Sequence, residues 1–198
     1  MRHYELITET NGNEDIISKV YANCQPFIQR IGGKDMLDER MIFRGMEKEH
    51  KPFLKKKVRL DNRNPMSSAQ IKHERYNNFF EEMFGEPFRN SLFVTGDYGQ
   101  ASHYGNIYMV VPIGHFDWVW SPDINDLALD IPWPSVGGHI NVPPSQDTVD
   151  TILGNANYTI NSNLGGAIQS GNEIMIRCDE YYAIAETLSS IFQIGEPT

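Results

Sequence analysis

Three short segments of the 198-residue chain carry the polar side chains best suited to chemistry. Arg44 follows a short apolar stretch, Thr95 ends a second one, and Glu173 precedes a third. A guanidinium offers a rigid, two-pronged set of donors to a phosphate or a sugar hydroxyl. A carboxylate can stabilise positive charge that develops in a transition state. Side chains of these types can bind a polar or anionic ligand, and they can equally serve the fold.

The three segments, in this order, resemble the arginine–serine–glutamate class of ADP-ribosyltransferases. The matches are residues 42–45, residues 92–97 followed by Tyr104, and residues 171–176 followed by residues 181–184. In that class a strand-borne Arg-Gly opens a split sheet and holds the dinucleotide, a serine-rich strand supports the site, and a late Glu-x-Glu precedes an apolar strand. The resemblance covers residues 41–185 as an ordered set of short matches.

This resemblance implies a fold, a substrate and a set of site residues. The fold would be α+β in one domain, residues 1–198, with a helical part at residues 1–40 and a core of split, mostly antiparallel sheet at residues 41–190. Glu173 would be catalytic, with NAD as the substrate. Tyr104 would stack on the nicotinamide, Thr95 would brace the site, and Gly45 and Gly96 would let the backbone approach the ligand. The implied NAD-binding residues are Arg44, Gly45, Thr95 and Tyr104.

The sequence departs from the family pattern at two places. Gly171 stands where the family has the first glutamate of Glu-x-Glu, the residue that activates an arginine acceptor. The serine motif keeps one hydroxyl residue, Thr95. We therefore expect an ADP-ribosyltransferase that acts on a protein or nucleic-acid acceptor. The alternatives are an NAD glycohydrolase effector, or a non-catalytic module that contacts nucleic acid.

The nucleic-acid alternative depends on a basic block at residues 40–75. This block holds eleven Lys and Arg against four acids, so it carries +7 within a chain whose net charge is -9. Such a block can face phosphates or form a solvated surface. The acidic charge of the whole chain argues against broad, non-specific coating of DNA.

Composition excludes several other classes. No stretch approaches the ~20 apolar residues of a membrane helix, and no apolar segment follows the basic N-terminus as in a secretory signal. We expect action in the cytoplasm, that of the host for a phage protein, because the chain has the look of a phage or bacterial effector. Cys24 and Cys178 are expected to be free thiols. The six histidines are scattered, and we expect no metal.

Apolar spacing predicts helices in four places. The first covers residues 14–31, is interrupted by Pro26, and stops at Gly32. The second begins after an N-cap at Ser67 or Ser68, ends near residue 83, and is stopped by Gly85. Two shorter helices are expected near residues 147–154 and 162–169. The buried face of the second helix is expected to contain Ile71, Tyr76, Phe79, Phe80, Met83 and Phe84.

Strand signals dominate the remainder of the chain. A strand at residues 41–43 should end at Arg44, and an edge strand with protective lysines should lie at residues 55–60. Alternation of Phe116, Trp118 and Trp120 predicts a strand with one face in the core. Residues 130–146 are expected to form an irregular loop, and the tail after Gln193 to be loose. The other expected strands are residues 92–95, 107–111, 174–176 and 181–185.

Overall fold

The computed structural model describes residues 14–61, 70–131, 144–189 and 192. These residues form two four-stranded antiparallel sheets. The first sheet has the spatial order β1 (Phe43–Met46), β4 (Asn106–Ile113), β8 (Glu180–Ala185) and β2 (Phe53–Lys57). The second has the order β3 (Leu92–Val94), β7 (Ile174–Arg177), β5 (Asp117–Trp120) and β6 (Thr159–Ile160). Antiparallel sheets with helices around them confirm the α+β class.

Helices cover the sheets and fill the connections between strands. Within the described residues they are α1 (14–23), α2 (Gln25–Ile31), α3 (Gln70–Phe84), α4 (Tyr98–Ser102), α5 (Leu127–Asp130), α6 (Gln146–Gly154), α7 (Leu164–Ser170) and α8 (Glu186–Ser189), with a 3-10 turn at Lys34–Met36. None of the described helices is long and apolar enough to cross a bilayer. Sequence reasoning did not anticipate α4, α5, α8 or the two-residue strand β6.

The N-terminal helical stripe was predicted correctly, including its interruption. The helix breaks at Cys24, and Pro26 sits in the first turn of α2, where a missing N–H costs no hydrogen bond. Gly32 ends α2 in a left-handed conformation (φ 106°) and donates its N–H to the carbonyls of Ile28 and Gln29. Both helices therefore bury their apolar side, at Val20, Phe27 and Ile31, in a cluster that contains residues of both sheets.

The two tryptophans of β5 lie in the core, as their alternation predicted. Phe116, Trp118 and Trp120 belong to one apolar cluster, whereas Val119 on the opposite face belongs to a second cluster with Phe80. The strand is therefore buried on both faces. Cys24 and Cys178 are free and buried, and burial raises the pKa of each thiol to about 12.

The predicted buried face of α3 was partly wrong. Tyr76, Phe79 and Phe80 are buried, but Ile71 is 37% exposed and Met83 is 54% exposed. Three polar residues, Lys72, His73 and Asn77, take the buried positions instead. Each polar group has a partner: Lys72 Nζ donates to the carbonyls of Ala128 and Ile131, His73 Nε2 bonds the side chain of Asn90, and Asn77 Oδ1 accepts the N–H of Arg89.

The bounds of several strands also differ from the prediction. Arg44 and Gly45 lie inside β1, because the strand pairs with β4 as far as Met46 opposite Asn106. The lysine strand is an edge strand as predicted, but it spans Phe53–Lys57. The loop expected at residues 130–146 is helical at both ends, at Asp130 and Gln146. Its residues 132–143, the expected N-cap at Ser67 or Ser68, and the tail after Gln193 lie outside the described residues.

Candidate functional site

The two sheets are joined by an isolated bridge between Phe43 of β1 and Thr95, the residue after β3. Phe43 N donates to Thr95 O at 2.7 Å, and Thr95 N donates to Phe43 O at 3.0 Å. Arg44 follows Phe43, and the antiparallel register of β3 on β7 pairs Val94 with Ile174, the residue after Glu173. All three predicted segments therefore converge at this place, which we call the sheet junction and define by Arg44, Arg89, Thr95 and Glu173.

Arg44 crosses the junction from the first sheet to the second. Its Nη1 donates to the carbonyl of Phe93 in β3 at 2.9 Å. Burial lowers the pKa of the Arg44 guanidinium, while the neighbouring Tyr181 and Glu173 act in the opposite direction. An arginine in a protein keeps its proton, so the junction contains a fixed, partly buried positive charge.

Thr95 braces the loop that leads to Glu173. Its hydroxyl donates to the carbonyl of Gly171 at 2.5 Å and accepts the N–H of Asp97 at 2.9 Å. The donated bond thus ties the end of β3 to the chain just before β7, and the accepted bond fixes the turn that follows β3.

Glu173 is held at the start of β7 by its backbone and its carboxylate. Its N–H donates to the carbonyl of Asn125 at 2.8 Å. Its Oε1 lies 3.6 Å from Nη1 of Arg89, and the two side chains are 18% and 11% exposed. The same carboxylate raises the pKa of Tyr158 and Tyr104, although burial is the larger cause in both. Glu173 is therefore a partly buried carboxylate within the electrostatic reach of two arginines and two tyrosines.

Arg89 is the site residue that the sequence did not indicate. It lies in the turn after α3, and its guanidinium stacks over the Phe93 ring at 4.6 Å from the centroid. Its N–H is fixed by Asn77. No local pattern around Arg89 distinguishes it from a surface arginine, because only the packing of α3 against the second sheet brings it to Glu173. The one signal in the sequence is the presence of polar residues on the buried face of α3, one of which, Asn77, bonds the backbone of Arg89.

Tyr104 is an exposed ring at the edge of the junction. The side chain is 55% exposed, and its hydroxyl donates to Oδ2 of Asp126 at 2.8 Å. Burial, the hydrogen bond to Asp126 and the charges of Asp126 and Glu173 raise the Tyr104 pKa to about 12. Asp126 is itself fixed, since its Oδ1 accepts from the N–H groups of Ala128 and Leu129 at the start of α5. The hydrogen bond to Asp126 therefore fixes the hydroxyl end of the Tyr104 ring, while the ring itself stays accessible.

The two glycines of the motif are surrounded by the protein's own backbone. A Cβ on Gly45 would lie 2.3 Å from Ala101 O, and one on Gly96 would lie 1.8 Å from Ile168 O. The close approach at these positions is therefore that of α4 to β1 and of α7 to the end of β3. The structure gives both residues a packing reason, whereas the sequence interpretation assigned their freedom to a ligand.

Several cations of the basic block are paired or turned inward among the described residues. Lys55 pairs with Glu180 at 2.6 Å, and Lys56 pairs with Glu49 at 2.7 Å. Arg44 is directed into the sheet junction and Lys72 is buried against α5. Four of the eleven cations at residues 40–75 are thus paired with acids or turned inward.

Cavities and clusters of metal-binding side chains are further features at which a protein can hold a ligand. Two cavities of about 390 Å³ lie away from the sheet junction: one includes Arg30, Arg40 and Trp118, and the other includes Cys178. Within the described parts of the chain, no group of three or more His, Cys, Asp or Glu side chains is arranged to hold a metal ion. Comparison of the whole chain finds no matching family model, no matching curated protein and no matching solved structure.

Proposed function

We propose that this protein is an NAD-dependent ADP-ribosyltransferase that moves ADP-ribose onto a protein or nucleic-acid acceptor. The observation that supports the proposal most is the convergence of three segments, distant in sequence, at the sheet junction. Arg44, Thr95 and Glu173 were selected by their order in the chain, and they meet in space. The proposal gives NAD the role of substrate and assigns no metal.

The chemistry would begin with cleavage of the bond between nicotinamide and ribose. Nicotinamide leaves with the bonding electron pair as a neutral ring, and the ribose becomes an oxocarbenium-like cation. The carboxylate of Glu173 stabilises that cation and orients the ribose hydroxyls. An acceptor hydroxyl, amine or amide, or water, then attacks the sugar carbon and loses a proton.

The other residues of the sheet junction would position the substrate and the carboxylate. Arg44 supplies a partly buried cation for the diphosphate or a ribose hydroxyl, and Arg89 orients the Glu173 carboxylate. Thr95 fixes the loop before Glu173 through its bond to Gly171 O. The exposed ring of Tyr104 is available to stack on the nicotinamide.

A second candidate, NAD hydrolysis, is favoured by one specific observation at Gly171. This residue ends α7 in a left-handed conformation with φ 73°, which a side-chain-bearing residue adopts only with strain. A Cβ there would also lie 3.1 Å from Cβ of Asp97. The position that activates an acceptor in the family therefore carries no side chain here, and water is the acceptor that needs the least activation machinery.

NAD consumption by the purified protein tests both candidates. The arms are wild type, Glu173→Gln, and Glu82→Gln as a matched loss of an exposed carboxylate, each with and without a cell lysate and with NAD labelled in the adenosine. Turnover lost only in Glu173→Gln, with label in macromolecules, supports transfer. The same loss with label only in free ADP-ribose supports hydrolysis. Absence of turnover in every arm, with no NAD binding by calorimetry, would reject NAD chemistry at this site.

A further inference from the structure

A cavity at the start of α7 contains an unusual concentration of cationic groups. It has a volume of about 390 Å³ and lies between the N-terminal helices and the second sheet. Of its nine lining residues, only Trp118 and Leu164 have apolar side chains, and none is acidic. We call it the arginine cavity and define it by Arg30, Arg40, Trp118, Asn163, Gly165 and Gln169.

Neither arginine of this cavity is paired with a carboxylate in the part of the chain that the structure describes. Among the described residues, Arg30 and Arg40 take part in no ion pair with a carboxylate, in contrast to Lys55, Lys56 and Arg89. Asn161, which lines the cavity, donates its Nδ2 to the carboxylate of Asp117 at 2.6 Å. Asp117 itself does not line the cavity. Two uncompensated cations that share one concave site raise the local potential and attract an anion.

Arg40 is held in place and still has a donor to offer. Its Nη1 donates to the carbonyl of Ile31 at 2.7 Å, which fixes the guanidinium at the end of α2. Its Nε is buried and, among the described residues, has no hydrogen-bond partner. A buried donor without a partner is rare in native proteins. The other guanidinium N–H groups of Arg40 are the ones that line the cavity wall.

Arg30 is held by an aromatic ring, whereas Arg40 is held by a hydrogen bond. The Arg30 guanidinium stacks over the Trp118 ring, with 5.4 Å between the central carbon and the ring centroid. The ring is itself fixed, since Trp118 Nε1 donates to Ser162 O at 3.3 Å. Stacking occupies the face of the guanidinium and leaves its N–H edges available for an oxyanion in the plane.

We infer that the arginine cavity binds the phosphoryl group of a small phosphorylated molecule. Two guanidiniums suit the multiple oxygens and the double charge of a phosphate, and the side-chain amides of Asn163 and Gln169 supply further neutral donors. The volume exceeds that of one phosphate ion, so space remains for a polar organic part. This site is separate from the sheet junction and does not depend on NAD chemistry.

Isothermal calorimetry at constant ionic strength tests this inference with two probes, inorganic phosphate and a sugar phosphate. The variants are Arg30→Gln, which removes an exposed charge, and Arg59→Gln, a matched loss from an exposed position outside the cavity. We expect saturable binding to wild type and to Arg59→Gln, weakened about tenfold or more in Arg30→Gln. Tighter binding of the sugar phosphate than of inorganic phosphate would identify an ester ligand, and the reverse would identify free phosphate.

Three results would overturn the inference. They are no binding of either probe tighter than about 1 mM, equal affinity in wild type and Arg30→Gln, or equal weakening in Arg30→Gln and Arg59→Gln. Replacement of phosphate by chloride at the same ionic strength separates binding from general screening, because screening depends on ionic strength alone. Circular dichroism of each variant shows whether a lost affinity reflects a lost fold.

Discussion

The two ends of helix α7 carry arginines in opposite electrostatic states. Beyond its C-terminal end, at the sheet junction, Glu173 is paired with Arg89, and Arg44 donates to Phe93 O. At its N-terminal end, in the arginine cavity, no described carboxylate pairs with Arg30 or Arg40. The junction therefore has its charges organised before any ligand arrives, as a catalytic site requires. The cavity has charge to satisfy, which a binding site for an anion requires.

The packing at these two ends differs as strongly as the charge does. At the C-terminal end, Gly96 lies against the carbonyl of Ile168 in α7, whereas at the N-terminal end the nearest group to Gly165 is the guanidinium of Arg40. A rigid backbone contact fixes the residues that would act on NAD. At the arginine cavity the neighbouring group is instead a side-chain guanidinium, which is held by its bond to Ile31 O.

The largest effect on stability is expected from adding one methyl group at Gly96. Gly96→Ala would place Cβ 1.8 Å from Ile168 O, so the backbone of α7 must move, and we expect a loss of about 3 kcal/mol in the free energy of unfolding. Gly165→Ala is the matched control, since its Cβ would lie 3.2 Å from Nη1 of Arg40 and alanine favours a helix. That change should alter stability by less than about 1 kcal/mol.

Urea unfolding of the two glycine variants measures this difference. Equal stability of Gly96→Ala and wild type would contradict the tight contact between β3 and α7. A loss of about 3 kcal/mol in Gly165→Ala as well would remove the contrast between the two ends of the helix.

The next largest effect is expected on catalysis at Glu173. Glu173→Gln keeps the shape of the side chain but removes the negative charge that would stabilise the ribosyl cation, so NAD turnover should fall about 100-fold or more. The measurement is the initial rate of nicotinamide release, with NAD affinity determined separately by calorimetry. A rate within about threefold of wild type, in a variant that still binds NAD, would show that the carboxylate does not act on the reacting bond.

A smaller loss is expected from the Thr95 hydroxyl. Thr95→Val keeps the branched shape but deprives Gly171 O of a donor and the N–H of Asp97 of an acceptor, at a cost of about 2 kcal/mol in the free energy of unfolding. Thr95→Ser keeps the hydroxyl and should cost less than about 1 kcal/mol. Chemical denaturation of both variants checks the difference, and equal losses would mean that the methyl group, not the hydroxyl, holds the loop.

The sequence predicted those parts of the fold in which local pattern and burial agree. The stripe of Val20, Phe27 and Ile31 lies on one helical side, and the alternation of Trp118 and Trp120 follows the pleat of β5. The pattern failed on α3, where partners from other elements make burial of Lys72 possible. Apolarity alone contains no information about such partners.

The candidate site was predicted in its parts but not in its connections. The order of Arg44, Thr95 and Glu173 along the chain selected segments that meet at the sheet junction. Arg89 was missed because its approach to Glu173 depends on the position of α3 over the second sheet. The arginine cavity was missed for the same reason, since Arg30 and Asn163 are brought together only by the packing of α2 on α7.

The smallest effect is expected at Arg30 and concerns the protein without a ligand. Because the guanidinium is exposed and only stacks on Trp118, Arg30→Gln should change the free energy of unfolding by about 0.5 kcal/mol or less. Saturating phosphate, at about 100 times its dissociation constant, should then stabilise wild type by about 2.7 kcal/mol and the variant by much less. Thermal unfolding with and without phosphate measures both quantities. A large loss without phosphate would mean that Arg30 serves the fold, and equal stabilisation of both proteins by phosphate would place the ligand elsewhere.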